Sequence, residues 1–168
     1  VNTYGLFADM TTTRPEVIFE ISADGDNWQA LQFKWKPVAL DARPRFVQPH
    51  QPRLDWQLWF AGLFYERVLA LFWQQTGRAP ESYDEIHRFI YQRYRQVYSR
   101  HVWVHNFMEG ILNKSPSVLN LTAHENWPDK PFYCRAWLFD YHFTQIGENT
   151  WWQRENKRVL FPQLNNSK

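Results

Sequence analysis

Apolar and polar residues alternate near both ends of this chain and recur at helical spacing through its middle. In Glu16-Val17-Ile18-Phe19-Glu20-Ile21-Ser22, Val17, Phe19 and Ile21 interleave with Ile18, Glu20 and Ser22, a period of two that places the sets on opposite faces of a strand. Asp24-Gly25-Asp26-Asn27 is a turn signal leading to an aromatic-rich run over 28–36, which predicts a hairpin. Residues 1–7 are a further short strand candidate, joined to the hairpin through Thr11-Thr12-Thr13-Arg14-Pro15. Residues 132–143 read as a long strand: Tyr133, Arg135, Trp137, Phe139, Tyr141 and Phe143 give one nearly all-aromatic face, against Cys134, Ala136, Leu138, Asp140 and His142. Gly147-Glu148-Asn149 turns the chain, and Trp151-Trp152 and Arg158-Val159-Leu160-Phe161 read as closing strands.

Residues 37–52 are punctuated by proline and predict a loop, after which the period changes. Pro49 and Pro52 hold the chain extended, and Asp55 is placed to cap a helix. That helix opens with Trp56, Leu58, Trp59 and Phe60, runs to about Gln75 and stops at Gly77. It is apolar nearly all round in places, so it must be buried or covered. Arg53 and Asp55 stand where charge meets a wall of rings, which predicts a paired Arg53/Asp55 at the helix start. The alternative is a recognition site at the same junction.

Ser82-Tyr83-Asp84-Glu85 is a capping box. Behind it Ile86, Phe89, Ile90, Tyr94, Val97 and Tyr98, then Val104, Phe107, Met108, Ile111 and Leu112, recur at three- and four-residue steps. Ser115-Pro116 opens another short helix. Strands at both ends with helices between give α+β: an antiparallel sheet or sandwich built from N- and C-terminal strands with a central helical insertion. Residues 1–48 and 132–164 are read as mainly β and 54–123 as mainly helical, in a single domain spanning 1–168.

Aromatic residues make up 18% of the chain, with ten Trp. About two-thirds of the Trp residues are expected in the core and the rest at a binding surface. A net charge of +2 without a Lys/Arg block argues against nucleic acid. The basic and aromatic run from Tyr91 to Arg100 sets its arginines mostly opposite the apolar stripe, as a solvated face does. The single cysteine, Cys134, excludes an internal disulfide and a Cys-based zinc site.

His101, His105 and Glu109 share one helix face, yet the glutamate that accompanies a zinc-binding His pair in hydrolases is missing. His50, His87 and His142 are scattered and define no triad, and Asp24 and Asp26 are explained by the turn. No catalytic residues, no metal site and no cofactor are assigned. The candidate binding residues are His50, Arg53, Asp55, Trp56, Trp59, Trp151 and Trp152. Asn113-Lys114-Ser115 and Asn120-Leu121-Thr122 match the glycosylation triplet, which is common by chance.

Several segments carry a resemblance. Residues 21–28 resemble one turn of the discoidin-like β-sandwiches, a match one hairpin long that assigns no sugar site. Far more specifically, Asn2-Thr3-Tyr4-Gly5-Leu6-Phe7, Arg14-Pro15-Glu16-Val17, Phe33-Lys34-Trp35-Lys36-Pro37 and the run from Pro49 to Ala61 resemble the C-terminal soluble region of the lipase maturation factor family. Residues 126–131, Asp140-Tyr141-His142-Phe143 and Trp151-Trp152-Gln153-Arg154-Glu155 fit the same region in the same order. The likeness departs at Val38, where the family has glycine, and over 65–103, where this chain looks longer. It implies part of a multi-pass membrane protein that helps secreted lipases fold and assemble, without catalysis. The domain would face the lumen of the endoplasmic reticulum, or lie extracytoplasmically in a bacterium, and its Pro-His-Gln-Pro-Arg-Leu-Asp-Trp form is closer to the bacterial type. Expected partners are a lipase-like client or the protein's own membrane domain, with membrane contact through the rest of the full-length chain. Rival readings are a carbohydrate- or lipid-headgroup-binding module, and, more remotely, a His/Glu metal enzyme.

Overall fold

Nine residues, Arg14–Ser22, form the strand β1 on which the other elements are laid. The computed structural model describes residues 14–47, 52–95, 99–129 and 133–165, residues 99 and 100 by their backbone alone. After β1 come β2 (Gln29–Ala30), α1 (Arg53–Thr76), α2 (Tyr83–Arg93), α3 (Ser99–Leu112), α4 (Pro116–Leu119), β3 (Tyr133–Phe143) and β4 (Trp152–Asn165). The strands make one antiparallel sheet in the order β2-β1-β3-β4. The α+β expectation holds, as a single sheet among the described residues rather than a sandwich.

The period-two pattern decides which face the helices cover. Val17, Phe19 and Ile21 of β1 lie opposite Leu138, Ala136 and Cys134 of β3, and all six are fully buried. Phe19 meets Phe107 of α3 edge-on at 5.4 Å, and Phe161 of β4 meets Tyr65 of α1 at 5.2 Å. On α1 the buried positions Leu58, Ala61, Gly62, Tyr65, Val68, Leu69 and Phe72 form one stripe at three- and four-residue steps. Trp56 and Trp73 point outward. Gly62 allows the closest approach, since a Cβ there would sit 2.3 Å from the Pro15 carbonyl oxygen.

The aromatic face of β3 therefore lies on the other side of the sheet, where charged groups roof it. Arg135 lies 3.8 Å from the Trp28 ring, Lys157 lies 3.8 Å from Trp137, and Arg154 lies 4.8 Å from Phe139. Glu20 accepts from both Arg135 Nε and Trp137 Nε1. Rings under cations remain half-buried without being orphaned.

Several boundaries differ from the sequence reading. The strand expected over 28–36 shrinks to Gln29–Ala30, because Leu31 and Phe33 turn into the core and the chain leaves the sheet edge. Its backbone then pairs with the segment after α4, through Ala123 N to Gln32 O and a bridge between Phe33 and Thr122. The two closing strands are one strand, carried past irregular register by Asn156 at φ 52°. Of the ten Trp residues only Trp152 is fully buried; Phe and Tyr supply the core rings instead, while Trp28 and Trp137 stay half-buried with their indole N–H groups bonded to Gly25 O and Glu20. The turn signals hold: Gly25 has φ 86°, Gly77 caps α1 at φ 71°, and Ser82 Oγ accepts from Glu85 N at 3.2 Å. The strand candidate at 1–7 lies outside the described residues.

Candidate functional site

Asp55 is the hinge of the junction, in a role the sequence did not show. It lies inside the first turn of α1, with Pro52 at the capping position and no side-chain cap. Its Oδ1 accepts from Trp35 N at 3.0 Å and from Lys36 N at 2.8 Å. No ion pair joins Asp55 to Arg53, and Arg53 is exposed, which corrects the expected Arg53/Asp55 pair. The reason is that the loop leaving β2 has amides without a strand partner, and a carboxylate on the positive end of α1 satisfies two of them.

The buried ion pair is formed elsewhere. Lys36 Nζ lies 2.9 Å from Glu16 Oε2, off the geometry of a hydrogen bond but in close ionic contact, and both side chains are almost fully enclosed. Arg14 Nε donates to the other carboxylate oxygen at 2.8 Å. Burial lowers the Lys36 pKa, and the Glu16 charge opposes that shift. Val38 is buried without a positive φ, and its carbonyl accepts from Tyr141 Oη at 3.1 Å.

This pinned loop walls a recess of about 420 Å³ whose lining includes Arg14, Lys34, Trp35, Lys36, Arg43, Arg45, Phe143 and Trp152. Trp152 donates from Nε1 to Ala42 O at 2.8 Å and stacks on Phe143 at 4.4 Å. Trp151, adjacent in the chain and 44% exposed, has Arg43 5.5 Å from its ring. Arg45 is 5.7 Å from the ring of Trp35, itself 41% exposed. A second recess of about 520 Å³ beyond Trp152 is lined by Glu148, Glu155, Arg154 and His142, two carboxylates against one guanidinium and an imidazole.

The seven sequence candidates thus separate. Trp152 lines both recesses, Trp151 lines neither but carries the lining residue Arg43 over its ring, and Asp55 holds the wall. Trp56 and Trp59 form a separate row with Phe60, at 5.4 and 5.1 Å. Arg53 lines neither recess, and His50 lies outside the described residues. Lys34, Arg43 and Arg45 were missed, although basic residues flank the loop on both sides in the sequence as Lys34-Trp35-Lys36 and Arg43-Pro44-Arg45.

A second cluster gathers His101 of α3 with Tyr65 of α1 and Tyr83 and His87 of α2. Tyr65 Oη lies 2.9 Å from His101 Nδ1, and His101 Nε2 lies 3.1 Å from His87 Nδ1 and 3.2 Å from Tyr83 Oη. Burial and the neighbouring His87 and His105 push the His101 pKa down to about 3, while burial raises that of Tyr65. His105 stacks on Tyr83 and meets Glu109 at 3.3 Å. Among the described residues no group of three or more His, Cys, Asp or Glu is placed to hold a metal ion. His87, read as scattered, joins this cluster one helical turn after Tyr83.

The lipase maturation factor C-terminal domain matches residues 1–78 and 86–162. The chain belongs to that family. Within 65–103, where the sequence reading saw a departure, the match covers 65–78 and 86–103 and leaves out only 79–85, the linker after α1 and the first three residues of α2. Lipase maturation factor 2 of Homo sapiens is 34% identical over 171 residues, and that of Gallus gallus 32% over 174. These alignments take in 97% and 96% of the chain and 20% of each relative. Lipase maturation factor 1 of Homo sapiens is 27% identical over 177 residues, 98% of the chain and 26% of that protein. The chain thus spans about a fifth to a quarter of the relatives' length. These relatives are vertebrate proteins and lend no support to a bacterial type. No solved structure matches the chain. Among the described residues of this lipase maturation factor domain, no helix is long and apolar enough to cross a membrane.

Proposed function

We propose that this domain is the client-facing soluble part of a lipase-maturation-factor-like membrane protein, and that it assists folding and assembly of secreted lipases without catalysing a reaction. The observation that carries the reading is the family match over nearly the whole chain. Exposed rings around the loop support it: Trp35, Phe46, Phe143 and Trp151 are between 41% and 84% exposed, and aromatic residues dominate binding hot spots. The rest of the full-length chain provides the membrane attachment and places the domain in the lumen of the endoplasmic reticulum, where its partner is a lipase-like client or its own membrane domain.

The test is assembly of a dimeric secreted lipase in cells lacking the endogenous factor. Full-length protein is supplied intact or with Trp35→Ala and Trp151→Ala, and secreted lipase activity and dimer fraction are measured. The substituted protein is expected to accumulate normally and to yield several-fold less active dimer. Equal yields from both forms would remove this reading.

A further inference from the structure

Among the described residues, the recess walled by the loop is lined by five cations, Arg14, Lys34, Lys36, Arg43 and Arg45, and by no carboxylate. The chain as a whole carries only +2, so this is a local concentration of charge. Glu16 serves both Arg14 and Lys36. Lys34, Arg43 and Arg45 form no ion pair among the described residues. Asp41, in the same loop, is exposed and outside the lining. Arg43 and Arg45 lie over the rings of Trp151 and Trp35, and the Lys34 ammonium donates to the Asn120 carbonyl. A guanidinium held against a ring keeps N–H edges available for a planar carboxylate.

We propose that this recess binds an acidic peptide segment of a protein client, its carboxylates on Arg43, Arg45 and Lys34 and an interposed aromatic side chain against the exposed rings of Trp35 and Phe143. The inference deepens the client-binding reading and rests on it for the partner's being a protein. Three features favour this occupant. A neutral sugar needs acceptors as well as donors, and among the described lining residues only Gln32 offers a side-chain acceptor. A bilayer is flat, whereas these cations converge on a concavity, which focuses their field on a ligand that can enter. A recess of about 420 Å³ has room for a few side chains, within the usual range of ligand pockets.

The probe is a fluorescein-labelled peptide of alternating Glu and Phe, titrated with this chain and followed by anisotropy. A control peptide carries Gln for every Glu. The acidic peptide is expected to bind and to weaken as salt rises, and the Gln peptide to bind at least about tenfold more weakly. Arg43→Ala with Arg45→Ala should lose about tenfold in affinity. Both arginines are exposed, so the variant folds, which its melting curve checks. Lys34→Gln gives an independent second variant with a loss in the same direction. Equal binding of both peptides, or equal binding by the double variant, would overturn the proposal. So would retention of the wild-type chain, but not the variant, on phosphatidylserine vesicles with no peptide binding. Peptide binding decides the recess, and lipase assembly by the full-length protein decides the client reading. Either can fail while the other stands.

Discussion

Lys36 Nζ and Glu16 Oε2 lie 2.9 Å apart with both side chains almost entirely shut off from water. Glu16 is on β1 and Lys36 in the loop, so this pair ties the recess wall to the sheet. Breaking one half leaves the other buried and uncompensated, which costs about 3–5 kcal/mol. Glu16→Gln and Lys36→Met should each lose stability on that scale in urea denaturation. The double change Glu16→Leu with Lys36→Met should lose less than the sum, because it strands no charge. Additive losses would mean that the two groups do not sense each other.

Asp55 reaches the same loop from the opposite side. Asp55→Ala removes two charge-assisted hydrogen bonds to Trp35 N and Lys36 N and should cost about 2–4 kcal/mol. Arg53→Ala, at an exposed position outside that contact, should stay within about 0.5 kcal/mol. Equal losses from the two substitutions would restore the Arg53/Asp55 pair. Thermal melts of both variants decide between these outcomes.

What could be read from the sequence was local. The alternation in Val17, Phe19 and Ile21, the Asp24-Gly25 turn, the Gly77 stop and the Ser82 cap are each written in a few adjacent residues, and each holds. Links spanning many positions left no such mark. Asp55 finding amides 19 and 20 residues earlier, or Glu16 finding Lys36, depends on the loop's path, which no periodicity encodes. The Trp residues misled for a related reason. Size and apolarity argue for the core, but Arg135 and Lys157 cover half-buried rings just as well. The candidate site was legible in part: Trp152 lines the recess, while its basic residues stood in a proline-rich stretch that carries no element signal.

Gly62 sets the distance between α1 and β1. A methyl group there would come within 2.3 Å of the Pro15 carbonyl oxygen, a backbone atom that cannot swing aside. Gly62→Ala should therefore cost at least about 3 kcal/mol, the upper part of the range for overpacking. Gly110→Ala is the control. Its nearest contact is the Val118 side chain at 2.5 Å, a stiff β-branched group but one carried on the four-residue α4 rather than on the sheet, and alanine's better helix propensity offsets part of the strain. That variant should lose less than Gly62→Ala in urea denaturation. A tolerated Gly62→Ala would place the helix farther from the sheet than described.

His101 gives the fold a dependence on pH with a definite sign. Its ring is fully buried, hydrogen-bonded to Tyr65 and Tyr83 and flanked by His87 and His105, and its pKa is pushed down to about 3. Burial also lowers the pKa of His87. In the unfolded chain a histidine titrates near 6.5. Above that value neither state holds the proton, and the stabilisation is fully present. As pH falls from about 6.5 towards 3, the unfolded chain takes up a proton that the folded one refuses, so stability falls. The slope is about 1.4 kcal/mol per pH unit for each such group. Urea denaturation between pH 7 and pH 5 should show at least this decline, before most carboxylates begin to protonate. His101→Gln should lower stability at pH 7 by about 1–3 kcal/mol through imperfect hydrogen bonding. The same substitution should flatten the decline by about one proton, and an unchanged slope would show that His101 is not the group held neutral.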